Sequence, residues 1–459
     1  MKYQVTNPAT GKIESEYPTT TDAEISAVLE RAASGYASWK TTSMTHRAEI
    51  VAQVGQLHAE RADELAAIIT REMGKPTRQA KGEVQFTASI YKYYADNAAE
   101  LLKDQPLHSN TPGAAMVRKT SIGPVLGIMP WNYPYYQVAR FAAPNLMVGN
   151  TVVLKHAPQC PESALAMAQI FRDAGLPDDA YINVFATNEQ VATMVADPRI
   201  SGVSVTGSER AGSAVAAAAG QNLKKVVLEL GGSDPFIVLD APDIAAVAKA
   251  AVGARMSNAG QACNAAKRMI VADTVYDDFM KEFVPLMAAQ VTGDPTDPAI
   301  TYGPLSSEQA AVNLMSQIDD AVGKGATVHT GGHRVDRPGA FVEATVLSGV
   351  TPEMRAFSEE LFGPAAVVYR VKDAGEAVAL ANSSAFGLGG SVWTTDESVA
   401  AQVADQLEVG MVWINRTEGG GAELPFGGTK RSGVGRELGP LGIEEFVNKK
   451  LIHTKPADA

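Results

Sequence analysis

Cysteine is almost missing from this chain: only Cys160 and Cys263 occur in 459 residues. Two cysteines this far apart build no disulfide framework and fit a reducing compartment, so a cytoplasmic location is expected. Long apolar runs are missing as well. No stretch approaches the ~18 apolar residues of a membrane-spanning helix, and the opening Met1-Lys2-Tyr3-Gln4-Val5-Thr6-Asn7-Pro8 has no apolar signal core. Positive charge is in deficit, with 39 Lys and Arg against 51 Asp and Glu and a net charge of -12. That balance argues against nucleic-acid and anionic-membrane partners. An anionic small molecule stays possible, because a local basic pocket can sit inside an acidic protein.

What is present is an ordinary globular composition, 46% hydrophobic and 20% charged. The chain is too long for one compact core, so two or three domains are expected. No low-complexity tract or long linker marks a break. Residues near 21–105 read as helical: Thr21-Asp22-Ala23-Glu24 is a capping box, and Ile25, Val28, Leu29, Ala32 and Tyr36 follow on one face. From about 124, apolar runs alternate with Ala-rich helical stretches such as Ser163–Asp173. The runs are Pro124–Met129, Thr151–Leu154, Ile182–Phe185, Gly202–Val205 and Val226–Glu229. The same style returns at Pro235–Leu239, Arg268–Val271, Ala326–His329 and Ala365–Tyr369. Such alternation predicts an α/β architecture of two parallel-sheet units. The tail segment Glu444–Ile452 reads as a strand suited to pairing with a partner chain, since an unpaired edge is a liability in a monomer.

Chemistry concentrates at a few strand ends. Asn258-Ala259-Gly260-Gln261-Ala262-Cys263-Asn264 sets a cysteine among small and amide residues rather than apolar packing neighbours. Glu229-Leu230-Gly231-Gly232 places a carboxylate at the end of an apolar strand with two glycines behind it. A thiol nucleophile and a carboxylate able to activate water are the minimum for covalent chemistry on a carbonyl. Thr206-Gly207-Ser208-Glu209-Arg210-Ala211-Gly212 follows a strand and opens a helix, whose N-terminus attracts anions. Gly207 allows close backbone approach to a phosphate, Ser208 can donate, and Gly212 lets the helix pack closely. The spacing is neither G-x-G-x-x-G nor that of a P-loop, so an ordinary turn is an open alternative. Lys155 ends a strand, where ligands of open α/β sheets bind, though a solvated lysine is the simpler reading. Pro130-Trp131-Asn132-Tyr133-Pro134 holds an amide that can face a developing oxyanion, while Trp131 and Tyr133 can equally be core.

Taken together these segments resemble the aldehyde dehydrogenase superfamily over nearly the full length. The match rests on Pro130-Trp131-Asn132, Leu154-Lys155, Thr206-Gly207-Ser208, Glu229-Leu230-Gly231-Gly232 and Gly260-Gln261-Ala262-Cys263. It continues through Glu359-Glu360-Leu361-Phe362-Gly363-Pro364, Asn382 with Phe386-Gly387-Leu388, Pro425-Phe426-Gly427-Gly428, Ser432-Gly433 and Gly435-Arg436-Glu437. The resemblance implies a catalytic trio: Cys263 as nucleophile, Glu229 as the base that activates water, and Asn132 as oxyanion donor with the Cys263 backbone N–H. It implies a cofactor site of Trp131, Lys155, Gly207, Ser208, Gly212, Leu230, Glu360 and Phe362, with Glu360 on the nicotinamide ribose and Lys155 on the adenosine ribose. It also implies a Rossmann-type cofactor domain (1–107 and 124–231), a catalytic domain (232–433) and a small β oligomerisation element (108–123 and 434–459) of a homodimer or homotetramer. No metal is expected.

Many NAD-preferring relatives carry Lys-x-x-Glu, whose carboxylate repels a 2′-phosphate; here Pro158 stands in that place. NADP is therefore expected to be accepted beside NAD, and His156 is expected either to add positive charge there or to lie on the surface. Lys155-His156-Ala157 and the run Glu229–Val238 look most like the bacterial succinate-semialdehyde dehydrogenase branch. Within that likeness, Arg140 suits a substrate carboxylate, or else braces its helix, and Tyr133 and Gly420 belong to the substrate site. The loop 414–424 departs from the branch, with Gly420 where a serine is expected and Arg416 and Glu418 changing its charge. The expected reaction is oxidation of a small aldehyde, succinic semialdehyde, to its acid through a cysteine thioester. Another short or uncharged aldehyde, and less favourably transfer of the acyl group to coenzyme A, are the alternatives; a binding protein that has lost turnover is the reading from another class.

Overall fold

The computed structural model describes residues 2–417 and 420–455; the expectations for Glu418 and for the tail beyond 455 lie outside them. The first group of apolar runs forms a six-stranded sheet in the order Gly433–Val434, Lys225–Glu229, Gly202–Thr206, Pro124–Met129, Thr151–His156 and Tyr181–Val184. All pairs are parallel except the short Gly433–Val434 edge. In chain order its five parallel strands run 3-2-1-4-5, so the order reverses beside Pro124–Met129. That reversal opens a crevice at the carboxyl ends of the strands, where Asn132, Lys155, Gly207 and Glu229 follow.

The second group forms a seven-stranded sheet, ordered Thr327–Thr330, Thr345–Ser348, Ala365–Val371, Ala266–Ala272, Asp234–Val238, Gly389–Trp393 and Met411–Ile414. Only its first pair is antiparallel. The central strands Asp234–Val238 and Ala266–Ala272 are buried throughout, as strands covered by helices on both faces must be.

Helices Asp22–Trp39, Met44–Glu60, Ala62–Met73 and Thr77–Leu101 fill the expected helical region. The capping box forms, with Thr21 Oγ1 accepting from Glu24 N and the Glu24 carboxylate accepting from Thr21 N. Ahead of them lies a hairpin, Tyr3–Asn7 with Lys12–Tyr17. The tail strand forms at Val447–Thr454, but it pairs within the chain, antiparallel to Ala114–Ser121, with Gln105–Leu107 beyond. Among the described residues its other edge takes no strand, and none of the helices is long and apolar enough to cross a membrane.

Candidate active site

The nucleophile loop joins the helix Ile244–Met256 to the strand Ala266–Ala272. Asn258, Ala259 and Gly260 are consecutive left-handed residues, with φ of 52°, 54° and 74°. Non-glycine residues in that region carry strain that neighbours must hold in place. Arg255, fully buried, does much of this: its guanidinium donates to Gly260 O at 2.7 Å and to Gly363 O at 2.6 Å. A side chain at 260 would collide with Gly363 O, 2.3 Å from an added Cβ, so glycine is required there. Gln261 anchors the far side, its Oε1 accepting from Ser306 N at 2.8 Å.

Asn132 lies against this loop. Its Nδ2 donates to Gln261 O at 3.1 Å, and its own carbonyl accepts from Asn258 Nδ2 at 2.9 Å and Lys75 Nζ at 2.8 Å. Lys75 is in turn paired with Glu83, both side chains 1% exposed. The other Glu83 oxygen accepts from Tyr135 N at 3.0 Å and Tyr136 N at 3.3 Å, capping the helix Pro134–Val148. A buried ion pair therefore fixes both Asn132 and the helix that follows it. Sequence gave no notice of it, because Lys75 and Glu83 read as ordinary surface charges of a helical region.

Glu229 is 2% exposed, and among the described residues neither carboxylate oxygen has a hydrogen-bond partner. Burial raises its pKa well above the carboxylate range, with Arg140 as the main opposing charge. An added Cβ at Gly427 would lie 2.6 Å from Glu229 Oε1, so the glycine-rich segment makes the room this carboxyl occupies. Cys263 is half-buried; desolvation pushes its thiol up to about 12, against the pull of Arg140 and Lys267.

A cavity of about 700 Å³ opens beside Cys263. Phe86, Tyr133, Tyr136, Trp413 and Phe426 give it an aromatic wall, and its charged lining residues are Glu83 and Arg436. Tyr133 and Gly420 both line it, and among the described residues an added Cβ at Gly420 would meet only Phe86, at 3.9 Å.

Arg140 does not line it. Its side chain is 0% exposed, with Nε 2.8 Å from Glu437 Oε2 and the guanidinium over the rings of Tyr136 and Phe426. Its Nη2 has no hydrogen-bond partner among the described residues, and its charge acts on Glu229 and Cys263. The two expectations for His156, a positive charge at the cofactor or a place on the surface, are overturned by its burial. It is fully buried, Nδ1 accepting from Ala157 N at 2.7 Å and Nε2 donating to Pro134 O at 3.0 Å. Burial lowers its pKa to about 4, so it is neutral at physiological pH and brings no positive charge to a phosphate.

The residues expected to hold a dinucleotide lie at or just beyond the carboxyl ends of the first sheet's strands and on the turn carrying Glu360. Ser208 caps the helix Glu209–Gln221, its Oγ accepting from Ala211 N at 3.3 Å, which leaves its hydrogen free to donate outward. An added Cβ at Gly207 would meet nothing, whereas at Gly212 it would strike Leu230 at 2.6 Å. Lys155 is 6% exposed, faces the Tyr3 ring at 5.9 Å, and has its pKa lowered to about 8 by burial. Among the described residues no carboxylate pairs with it, so a buried cation is left for a bound hydroxyl or phosphate. Trp131 and Phe362 meet edge to face at 5.7 Å. Glu360 Oε1 accepts from Gly232 N at 3.1 Å, and its Oε2 lies where a Gly231 side chain would be. A helix N-terminus, a buried cation and a crevice at the strand-order reversal fit a dinucleotide.

Fold and site thus define an α/β oxidoreductase of the covalent-thiol type. Residues 1–452 match the model of the aldehyde dehydrogenase family. The chain belongs to that family, and its activity is the oxidation of an aldehyde. It is 54% identical over 454 residues to a succinate-semialdehyde dehydrogenase [NADP(+)] of Deinococcus radiodurans, covering 99% of this chain and 95% of that one. A Mycobacterium avium protein of the same name is 44% identical over 449 residues, covering 97% and 95%. Among solved structures, succinic semialdehyde dehydrogenase from Streptococcus pyogenes in complex with NADP+ superposes with a TM-score of 0.97 at 41% identity, covering 99% of this chain and all of that one.

Proposed function

We propose that this protein oxidises succinic semialdehyde to succinate with NADP as the preferred acceptor and NAD as a slower one. The names of its relatives, including one with NADP+ bound, support this substrate and cofactor. The observation that supports the chemistry is a half-buried Cys263 on the cavity wall, with Asn132 bonded to its loop and the charge of Glu229, a carboxylate without a hydrogen-bond partner among the described residues, acting on its thiol.

In this reading the Cys263 sulfur adds to the aldehyde carbon, and the Asn132 amide with the Cys263 backbone N–H steadies the oxyanion. The cofactor, when bound, supplies the hydride acceptor. A thioester then remains on Cys263, and Glu229 takes a proton from the water that releases the acid. Gly207, Ser208, Gly212 and Leu230 would hold the pyrophosphate side, Lys155 the adenosine ribose and its phosphate, and Glu360, Phe362 and Trp131 the nicotinamide end. The cofactor domain is assigned to 1–107 and 124–231, the catalytic domain to 232–433, and the assembly element of a homodimer or homotetramer to 108–123 and 434–459. A cytoplasmic setting is supported by two free cysteines.

A second reading, a broader aldehyde range, is favoured by the open space at Gly420. One panel separates the two: succinic semialdehyde against uncharged aldehydes of similar length, each with NADP and NAD and without coenzyme A. The first reading predicts the highest kcat/KM for succinic semialdehyde with NADP. Equal values for uncharged aldehydes favour the second reading, and no acid in this panel, with acyl-coenzyme A appearing once coenzyme A is added, overturns both.

A further inference from the structure

Lys267 has no part in the reaction as described, yet its side chain is 1% exposed at the centre of the site. It begins the strand that follows the nucleophile loop, and its ammonium turns back under that loop. Nζ donates to Ala262 O and Cys263 O, each at 2.8 Å, and to Ala265 O at 3.3 Å. It also lies 3.1 Å from Glu360 Oε1, the same oxygen that accepts from Gly232 N. The Cys263 carbonyl lies against Gly232, 2.5 Å from an added Cβ, so only a glycine admits this approach. The ammonium joins two segments directly, the nucleophile loop and the turn carrying Glu360, and the strand end behind Glu229 joins them through Glu360 Oε1. An ammonium has three donors, and here four oxygens share them.

We propose that Lys267 is a positioning residue through which occupancy of the Glu360 side of the site sets the orientation and charge environment of Cys263. This rests on the reading of Glu360 as the residue that holds the nicotinamide ribose. Hydroxyl groups that donate to the Glu360 carboxylate satisfy part of its charge, and the ammonium then turns more fully to the loop carbonyls and the sulfur. The charged groups around Lys267 are Glu360, Arg255 and Asp234. Those facing Cys263 are Arg140, Lys267, Glu360 and Glu229. Of these, Lys267 alone bonds to both the loop and Glu360. A thiolate beside a less neutralised cation is stabilised, so cofactor binding is expected to favour the reactive form.

The test is the pH dependence of Cys263 alkylation by iodoacetamide, followed by peptide mass to separate it from buried Cys160, with and without saturating NADP. In the intact enzyme the alkylation midpoint falls by about one pH unit when NADP binds. In Lys267→Met and Lys267→Gln the NADP-dependent shift is lost, and Lys267→Arg restores part of it. Lys267→Gln keeps a donor for the carbonyls without the charge, so it serves if Lys267→Met does not fold. An unchanged shift in either neutral variant overturns the proposal. NADP affinity of Glu360→Gln is measured in parallel by fluorescence titration. If that variant binds NADP as tightly as the parent, the ribose reading of Glu360 fails; if it binds weakly while the neutral Lys267 variants keep the shift, only the Lys267 inference fails.

Discussion

The buried Lys75–Glu83 pair beneath Asn132 allows stability and catalysis to be perturbed separately. Replacing Lys75 by Met strands a carboxylate that is 1% exposed, and breaking a buried pair in this way costs about 3–5 kcal/mol. Catalysis should suffer less than from loss of the oxyanion donor, which is worth about 3 kcal/mol. The Asn132 carbonyl keeps its bond from Asn258 while losing the one from Lys75, so a fall in kcat of about 10-fold is expected. The stability cost should depend on pH. Burial raises the Glu83 pKa and Lys75 is the chief opposing influence. Without Lys75 the folded pKa rises further above its unfolded value, so the deficit is smallest where the carboxyl is protonated in both states and grows as pH rises. In Lys75→Met/Glu83→Gln, the glutamine Oε1 can still cap the helix Pro134–Val148 and no charge is stranded. That double variant should regain most of the stability without regaining kcat. Urea unfolding at pH 5.5 and 8, together with steady-state kinetics, reads all of this. A double variant as unstable as the single one, or a single variant with unaltered kcat, would refute the reasoning.

Asn132→Ala should lower kcat by about two orders of magnitude, equivalent to ~3 kcal/mol of barrier, and a loss under threefold in kcat/KM would exclude the oxyanion role. Glu229→Gln should give a burst of reduced cofactor near one equivalent per site, then near-arrest, with an acyl adduct on Cys263 detectable by mass; steady turnover at the parental rate removes Glu229 as the base. His58 and His156 are both fully buried, with pKa values lowered to about 4 by desolvation. A folded pKa below the unfolded value means that stability is present above about 6.5 and lost as pH falls through about 4, by about 3 kcal/mol for each group. Melting temperatures from pH 7 to 4 should therefore fall less steeply in His58→Phe than in the parent; parallel curves would contradict this.

Much of the site was legible because it is punctuated by strand ends and glycines. Glu229, Gly207 and Lys155 stand where an apolar run stops, Cys263 stands in a Gly/Asn-rich turn just before one begins, and the run pattern alone predicts the two parallel sheets. The hairpin Tyr3–Asn7 with Lys12–Tyr17 was not legible, since its second strand is polar and largely exposed and carries no apolar alternation. Lys75, Glu83, Arg255 and Lys267 escaped for a different reason. A charge becomes structural only when tertiary packing encloses it, and nothing local distinguishes it from a solvated one. A trace existed for Arg140, an arginine inside a helix where every residue but Tyr136 is buried. Such a setting calls for an internal partner, here Glu437, while Nη2 is left without one among the described residues. His156 shows the same limit: in Thr151–His156 every residue is buried, so even the last position of the strand points away from solvent.

The segment after the glycine-rich loop closes the sheet on which Glu229 stands. Gly433 pairs with Glu229, Ser432 O receives Leu230 N–H at 2.8 Å, and Glu437 engages Arg140. Translation reaches the cysteine more than a hundred residues before it reaches these. A chain cut short before Gly433 therefore leaves Glu229 on an unpaired sheet edge and Arg140 without its carboxylate. Such a product should unfold more readily than the full chain, since a buried charge that has lost its partner is costly.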